Sequence, residues 1–431
     1  MKTAHHFFIT ICAAGGSGGM EVNMKICIAV AEFPKLSETF VVEHIVSLID
    51  SGHDVSIIAY NECKEKKEHE LVEKYKLRQR TIYLNIPNSY YKRIQHVFTN
   101  FICNAAERKL IVHTLNLFLY GKSILSLRLY YIIRNMLNQQ YDIIHCHFGN
   151  VGKYYSYIKE ISKSKLVITF HGNDVSKIIK KKGKNYYKNV FKNADKILPV
   201  SNFWALKLKS LGCPEDKIYV HHMGIDIDRY EFKRRIVIGE YFKLLTVGRL
   251  VEKKGIEYSI KAVARLIDKG YKIIYTIVGQ GPLYNTLQNL IYELKMDKYI
   301  FLVGDKSPEE VKELLYNNHI FILASVTAQD GDQEGIPVSL MEAMCSGMIV
   351  ISTYHSGIPE LVNGCGFLVY ERNSDQLAHS IEHVIQTYKN WSNVTIKARE
   401  KVEKEFNKNL LNTQLEQIYE DIVKFKSTNF E

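Results

Sequence analysis

Residues 242–282 read FKLLTVGRLVEKKGIEYSIKAVARLIDKGYKIIYTIVGQGP, and the fold class follows from them. The run KLLTVG is short, apolar and bounded by polar residues, so it reads as a buried strand. Behind Gly255, the residues Ile256, Ile260, Val263 and Ile267 recur at helical spacing and lay an apolar stripe along one helix face. A second buried strand, YKIIYTIVG (271–279), then runs into Gln280-Gly281-Pro282. Strand, helix and strand in this order imply a parallel sheet covered by helices on both faces.

The same alternation extends in both directions. Downstream, YIFLVG (299–304) leads into Ser307-Pro308-Glu309-Glu310, a capping box with proline at the first helical position. HIFILAS (319–325), MIVIST (348–353) and GFLVY (366–370) complete that half. Upstream, strands are expected at KICIAVA (25–31), DVSIIAY (54–60), DIIHC (142–146), KLVITF (165–170), KILPV (196–200) and KIYVH (217–221). Ser37 is placed to cap a helix running to about Ser51, with Gly52 where a helix C-terminus wants glycine. The expected fold is therefore α/β, with two Rossmann-like halves facing across a cleft and meeting near the polar stretch 225–241. Residues 24–235 form the first domain, within which 61–140 read as a basic helical insertion. Residues 236–400 form the second, and 401–431 a closing helix that packs back onto the first. Residues 1–23 are set apart as an extension or start-site artefact, although Phe7 to Ala14 behind Lys2 has the outline of a weak signal peptide.

The chain has 431 residues, 46% hydrophobic and 24% charged, which is globular composition with room for two or three domains. Its eight cysteines are scattered with no C-x-x-C pair, the pattern of reduced thiols in a cytoplasmic protein. No apolar run is long enough to span a bilayer. The net charge of +11 is unevenly spread. Between Tyr90 and Gln140, seven Lys/Arg face one Glu amid many aromatics, and between Ser176 and Asn193 there are seven lysines and no acid. Such patches are either solvated lysine faces or attractors of phosphate, on a substrate or an anionic membrane. No nucleic-acid motif accompanies them.

Ligands of open parallel sheets bind outside the carboxyl ends of the strands, and four strand-end loops are chemically loaded. Gly248-Arg249-Leu250-Val251-Glu252-Lys253-Lys254-Gly255 opens a helix and carries cations suited to a diphosphate. In DGDQEGIPVSLMEAM (330–344), Gly335, Ile336 and Pro337 lead into a helix whose first position is assigned to Pro337 and whose C-terminal cap is assigned to Gly347. Glu334 precedes that helix and Glu342 lies about a turn and a half inside it, both suited to hold vicinal hydroxyls. Phe170-His171-Gly172-Asn173-Asp174 presents a histidine that can donate to a sugar hydroxyl or move a proton. The fourth loop, FPKLSETF (33–40), stands where a nucleotide-cofactor fold would carry G-x-G-x-x-G and does not, which argues against a dehydrogenase. His145-Cys146-His147 and His221-His222 are close histidine pairs that read as packing or substrate contacts, and no metal site is expected.

Together FPKLSETF, DIIHCHFG, VITFHGNDV, VGRLVEKKGIEYSI, IVGQGPL, DGDQEGIPVSLMEAMCSGMIVIST and HSGIPELV resemble family 4 of the glycosyltransferases, retaining enzymes of the GT-B fold. Within it, FPKLSETF and DGDQEGIPVSLMEAM look most like a bacterial branch that extends exopolysaccharide or lipopolysaccharide chains. The resemblance implies that Arg249 and Lys254, with Gly248, hold the diphosphate of a UDP- or GDP-sugar, and that Glu342 takes the ribose hydroxyls. It places Glu334 and His171 at the donor sugar, Gly335 to Pro337 near sugar or phosphate, and Ser37, Glu38 and Thr39 on the acceptor side. It implies front-face attack with retention of configuration and no required cofactor or metal; Asp330 and Asp332 read as loop caps. The acceptor it implies is a lipid-linked or free oligosaccharide, reached at the inner face of the cell membrane. An epimerase or phosphorylase would need motifs that are not in this sequence. A non-catalytic sugar-nucleotide sensor would be expected to lose His171 or Glu334, and both are present.

Overall fold

In the computed structural model, which describes residues 23–35, 38–65, 68–137, 139–237 and 239–427, the chain builds two six-stranded parallel sheets. The first comprises β1 (Lys25–Phe33), β2 (Asp54–Glu62), β3 (Thr81–Tyr83), β4 (Ile143–His147), β5 (Lys165–Phe170) and β6 (Lys196–Pro199), in the order β3-β2-β1-β4-β5-β6. The second comprises β7 (Phe242–Val247), β8 (Ile273–Val278), β9 (Ile300–Leu302), β10 (Ile320–Leu323), β11 (Ile349–Thr353) and β12 (Phe367–Val369), in the order β12-β11-β10-β7-β8-β9. Both sheets thus have the doubly wound order, and their switch points lie between β1 and β4 and between β7 and β10. Each sheet is covered on two faces, so the buried apolar side chains fall into four clusters.

The local signals act largely as the sequence implies. Ser307 and Glu310 close the capping box on the helix Pro308–Asn317. Gly52 and Gly347, both with positive φ, follow the helices Thr39–Asp50 and Val338–Cys345. Two differences stand out besides. Residues 217–221 form no regular strand: Glu215–Lys217 is a 3-10 turn, and beyond it the chain runs beside β6 through an isolated bridge of Ile218 to Ile197 and the amides of Tyr219 and His221, which donate to Ile197 O and Pro199 O at 3.0 Å. Its apolar residues instead escort the chain out of the first half. Pro337 caps the helix rather than opening it, since helical geometry begins at Val338. Ser37 and residues 1–22 lie outside the described residues.

The stretch 61–140 is not wholly helical: between the short helix Glu70–Lys74 and the helices that follow it contributes the edge strand β3 to the sheet. Three residues pairing on one side leave too short an alternation to read as a strand. The helix Tyr90–Cys103 turns much of its apolar surface outward: its buried residues are Val97, which joins the core, and Arg93, which donates to the carbonyls of Pro87 and Asn88 at 2.7 and 3.1 Å, while Tyr91, Ile94, Phe98 and Ile102 are exposed. Phe118 and its neighbours Leu117 and Leu119 are exposed too. Among the described residues, no helix is long and apolar enough to cross a membrane.

The chain passes between the halves twice, side by side. The amide of Ile225 donates to Phe406 O and that of Lys408 to Ile225 O, both at 2.9 Å. The final helix, Lys408–Ser427, then buries Leu415, Ile418, Tyr419 and Ile422 in the cluster that holds β1 and the helix Thr39–Asp50.

Glycine sets how closely the strand ends can approach at the second switch point. Gly255 has φ +59°, and a methyl there would lie 1.8 Å from the carbonyl oxygen of Ala324, just beyond β10. Gly255→Ala is therefore expected to destabilise the fold by ~3 kcal/mol, because backbone rather than a movable side chain must yield. The shift in the urea midpoint at unchanged m-value measures it; a shift within error would refute the close packing of this turn.

Candidate functional site

Loop geometry brings the basic turn of the second sheet to Glu334. After β7 the chain turns through Gly248 and Arg249 into the 3-10 turn Glu252–Lys254, which is tied to the end of β10 by Val326 N donating to Lys253 O at 2.9 Å. Lys254 folds back over Gly248, where a methyl would lie 3.3 Å from its Cε. Its Nζ is 3.3 Å from Glu334 Oε1, and Lys253 Nζ is 3.8 Å from the same oxygen and 3.3 Å from Asp332 Oδ2. Glu334 is buried, and its Oε1 takes no hydrogen bond of proper geometry. Burial opposes its ionisation, but the fields of Lys254 and Lys253 outweigh that and hold its carboxyl below the usual range. Arg249, next along the chain to Gly248, is exposed.

The backbone of Glu334 is fixed from the loop after β11. Its amide donates to His355 Nε2 at 3.0 Å, its carbonyl accepts from Ser356 Oγ at 2.6 Å, and His355 Nδ1 meets Glu371 Oε1 at 2.6 Å. With Nδ1 donating to the carboxylate, Nε2 is left as the acceptor that the Glu334 amide needs. The helix Val338–Cys345 follows Pro337 and places Glu342 within reach of Tyr230, whose hydroxyl donates to Oε1 at 2.7 Å. Burial raises the Glu342 carboxyl above its usual range, against the Tyr230 hydrogen bond and the field of Arg229. Glu342 therefore stands on the linker side, apart from the Lys254–Glu334 pair.

From the first sheet, His171 arrives directly after β5. A methyl at Gly335 would come 3.1 Å from His171 O, and one at Gly172 3.4 Å from Glu334 O, so the two loops meet backbone to backbone. Asp174 shapes the histidine loop by accepting from the amides of His171 (3.0 Å) and Gly172 (2.9 Å) through Oδ1 and of Gly149 (2.8 Å) through Oδ2. Burial raises its pKa to about 6, and those amides pull the other way. The His171 ring lies between Phe40 and Phe148, with centroids 4.6 and 4.5 Å away, and its Nδ1 is buried without a partner. Burial, then His44, lowers its pKa to about 3, so the ring is neutral.

Across the same junction, Lys177 Nζ pairs with Asp330 Oδ2 at 2.6 Å, Lys180 Nζ donates to Gln329 O at 2.7 Å, and Asn173 Nδ2 to Asp332 Oδ1 at 3.3 Å. Asp330 also accepts from the Asp332 amide at 2.9 Å. Glu360 reaches from the second half to the amides of Asn202 and Phe203, both at 2.8 Å, and so caps the helix Asn202–Ser210. Glu38 pairs with Lys35 at 3.1 Å beside Thr39, which opens its helix.

Sequence reasoning missed Lys253, Tyr230, His355 and Asp174, because each acts on a residue distant in the chain or through backbone. His44, His145 and His147 are also drawn together, with one nitrogen of each within 4.8 Å of the others. Tyr419 OH already sits between His145 Nδ1 (2.5 Å) and His44 Nε2 (3.3 Å), so a metal ion there would have to displace it.

Comparisons with known proteins give the class of the chain that carries this geometry. The family described as Glycosyltransferase Family 4 matches residues 37–229, and that described as Glycosyl transferases group 1 matches residues 228–401. AmsK of Erwinia amylovora, named for amylovoran biosynthesis, is 36% identical over 406 residues, covering 92% of this chain and 99% of its own. WcaL of Escherichia coli strain K12, named for colanic acid biosynthesis, is 35% identical over 400 residues, covering 91% and 98%. The crystal structure of Anabaena HepE in complex with UDP is similar in fold, with a TM-score of 0.70 at 16% identity over 92% of this chain and 100% of that one. The chain belongs to the family 4, group 1 glycosyltransferases, and its two sheets form the GT-B fold.

Asp174→Asn tests whether the histidine loop depends on a carboxylate. The amide nitrogen of asparagine would face a backbone N–H at one of the two oxygen positions, leaving a buried donor unmade, so a loss of ~2 kcal/mol is expected. Thermal unfolding at neutral pH reads it; a variant as stable as the parent would show that the three amides find other acceptors.

Proposed function

We propose that the chain is a retaining hexosyltransferase that moves a sugar from a UDP- or GDP-sugar to a growing, lipid-linked oligosaccharide in bacterial surface polysaccharide synthesis. The observation that carries this reading is the buried Glu334 carboxylate beside Lys254, at the place where the His171 loop of the first half meets the loop of the second. A carboxylate and an imidazole at one junction suit a sugar's hydroxyls, while Arg249 and Lys254 suit its diphosphate. Glu342, on the linker side, suits the ribose. Cation and helix-end stabilisation of the leaving diphosphate is electrostatic work that these groups can perform in front-face attack, without a metal or other cofactor. In this reading residues 24–235 serve the acceptor, with Ser37, Glu38 and Thr39 on that side, and 236–400 the nucleotide sugar. The names of AmsK and WcaL support the polysaccharide setting, and the UDP complex of HepE supports a nucleotide donor.

His171→Ala and Glu334→Gln are expected to lower transfer at least ~100-fold with the fold intact. Arg249→Ala is expected chiefly to raise the KM for the nucleotide sugar. The donor is first found by a thermal-shift panel of nucleoside diphosphates and their sugars, since a ligand of the native state raises apparent stability. Turnover at the parental level in the Glu334 variant would sink the site assignment.

The acceptor side of this reading places the protein on the cytoplasmic face of the membrane. The exposed Tyr91, Phe98 and Phe118, among the basic residues Lys92, Arg108, Lys109 and Lys122, make an apolar and cationic surface suited to anionic lipid. Sedimentation with liposomes containing phosphatidylglycerol, and weaker sedimentation with phosphatidylcholine alone, is the expected result. Equal behaviour with both would remove the electrostatic part of the claim.

A further inference from the structure

Behind His171 runs a continuous line of hydrogen-bonding groups. His171 Nε2 is 3.1 Å from His147 Nδ1, His147 Nε2 is 3.0 Å from His44 Nδ1, and His44 Nε2 is 3.3 Å from the Tyr419 hydroxyl. That hydroxyl is 2.5 Å from His145 Nδ1, and His145 Nε2 is 2.7 Å from Thr169 Oγ1. The pieces come from β4, β5, the helix Thr39–Asp50 and the final helix, and all but His171 are buried residues. Burial holds His44, His145 and His147 neutral, well below the usual histidine range, as it does His171.

A neutral imidazole carries one ring hydrogen, so each ring that donates on one side must accept on the other. The six groups hold six such hydrogens for five contacts, so one is left over. It can fall only on Thr169, on Tyr419 (when its oxygen accepts from both histidines) or on His171 Nδ1. Left on Tyr419, it would sit in a fully buried hydroxyl with no further partner among the described residues. If every group donates toward Thr169, the hydroxyl hydrogen of Thr169 is left over in the interior, and among the described residues Thr169 Oγ1 has no partner besides His145. All five contacts are satisfied in every arrangement. When Thr169 starts the line, the remaining hydrogen falls not on a hydroxyl behind the junction where the two halves meet but at that junction, on His171 Nδ1. That is the nitrogen that stands buried with no partner.

We infer that Thr169, His145, Tyr419, His44 and His147 are positioning residues that hold His171 as the Nδ1–H tautomer, so that it offers a hydrogen bond to an oxygen of the bound sugar instead of acting as a base. The inference deepens the proposed function and rests on its placement of His171 at the donor sugar. It also gives the last helix a part in the site: Tyr419 is the joint through which the direction set by Thr169 crosses from His145 to His44.

The tautomer is read directly by nitrogen NMR of the full-length protein labelled with 15N-histidine, the His171 signals being assigned by their loss in His171→Ala. The expected result is a protonated Nδ1 and a bare Nε2 on His171 in the parent. Thr169→Val and Tyr419→Phe, checked for unchanged melting, should shift His171 toward the other tautomer, and Thr169→Ser should preserve the parental pattern. A parent with hydrogen on Nε2 overturns the inference, as does an Nδ1–H that neither Thr169→Val nor Tyr419→Phe disturbs. With the sugar donor found by the thermal-shift panel, the same two variants should lower kcat several-fold with KM little changed. His171→Asn, whose amide lies near the Nδ1 position, should retain more activity than His171→Gln. Were the NMR pattern as expected but His171→Ala fully active, the tautomer inference would stand and the placement of His171 at the sugar would fall.

Discussion

A carboxylate taken out of water must be compensated where it sits, and Glu334 is such a carboxylate. Lys254 and Lys253 come to it from the turn after β7, His355 takes its amide, and Ser356 donates to its carbonyl. The two lysines constrain the turn after β7, and His355 and Ser356 the loop after β11. The lysine turn can reach only because Gly255 lets its backbone close on Ala324, and His355 is itself held by Glu371. Satisfying one buried charge thus aligns the ends of β7, β10 and β11, and the crevice of the second sheet takes its shape from that requirement.

The first half meets this arrangement through contacts that are mostly polar. Asn173, Lys177 and Lys180 hold the 329–332 loop, and Glu360 caps the helix Asn202–Ser210 from across the junction. Exposed ion pairs of this kind are individually weak, generally below about 1 kcal/mol. The durable tie is apolar: the final helix leaves the second half beside the linker and seats Leu415, Ile418 and Tyr419 in the core of the first. Polar contacts that can part, with an apolar anchor behind them, would let the donor site proposed between the halves open and close.

Much of the fold was legible because its signals are local. Eleven of the twelve strands coincide with apolar runs visible in the sequence, and the capping box at Ser307 and the glycines at 52 and 347 mark helix ends through backbone geometry alone. The strand left unread, Thr81–Tyr83, is short and half-covered, and residues 217–221 run beside β6 with too few bonds to make a regular strand. The helix Tyr90–Cys103 shows the limit of periodicity: only packing decides which side faces the protein, and here the buried side carries Arg93 beside Val97 while Tyr91, Phe98 and Ile102 are left outside.

The site divides along the same line. That strand-end loops carry Arg249, Lys254, Glu334 and His171 follows from chain order, since a parallel sheet sends every carboxyl end to one edge. Even the alternation His145, His147 on one strand and Thr169, His171 beside it could be read as a shared face. Tertiary structure alone decided that Lys253 also reaches Glu334, that Tyr230 takes Glu342, and that His44 and Tyr419, 375 positions apart, join the two ends of a histidine line. Spacing along a chain encodes faces and ends, whereas a hydrogen bond between distant elements exists only once both have been packed against a common core.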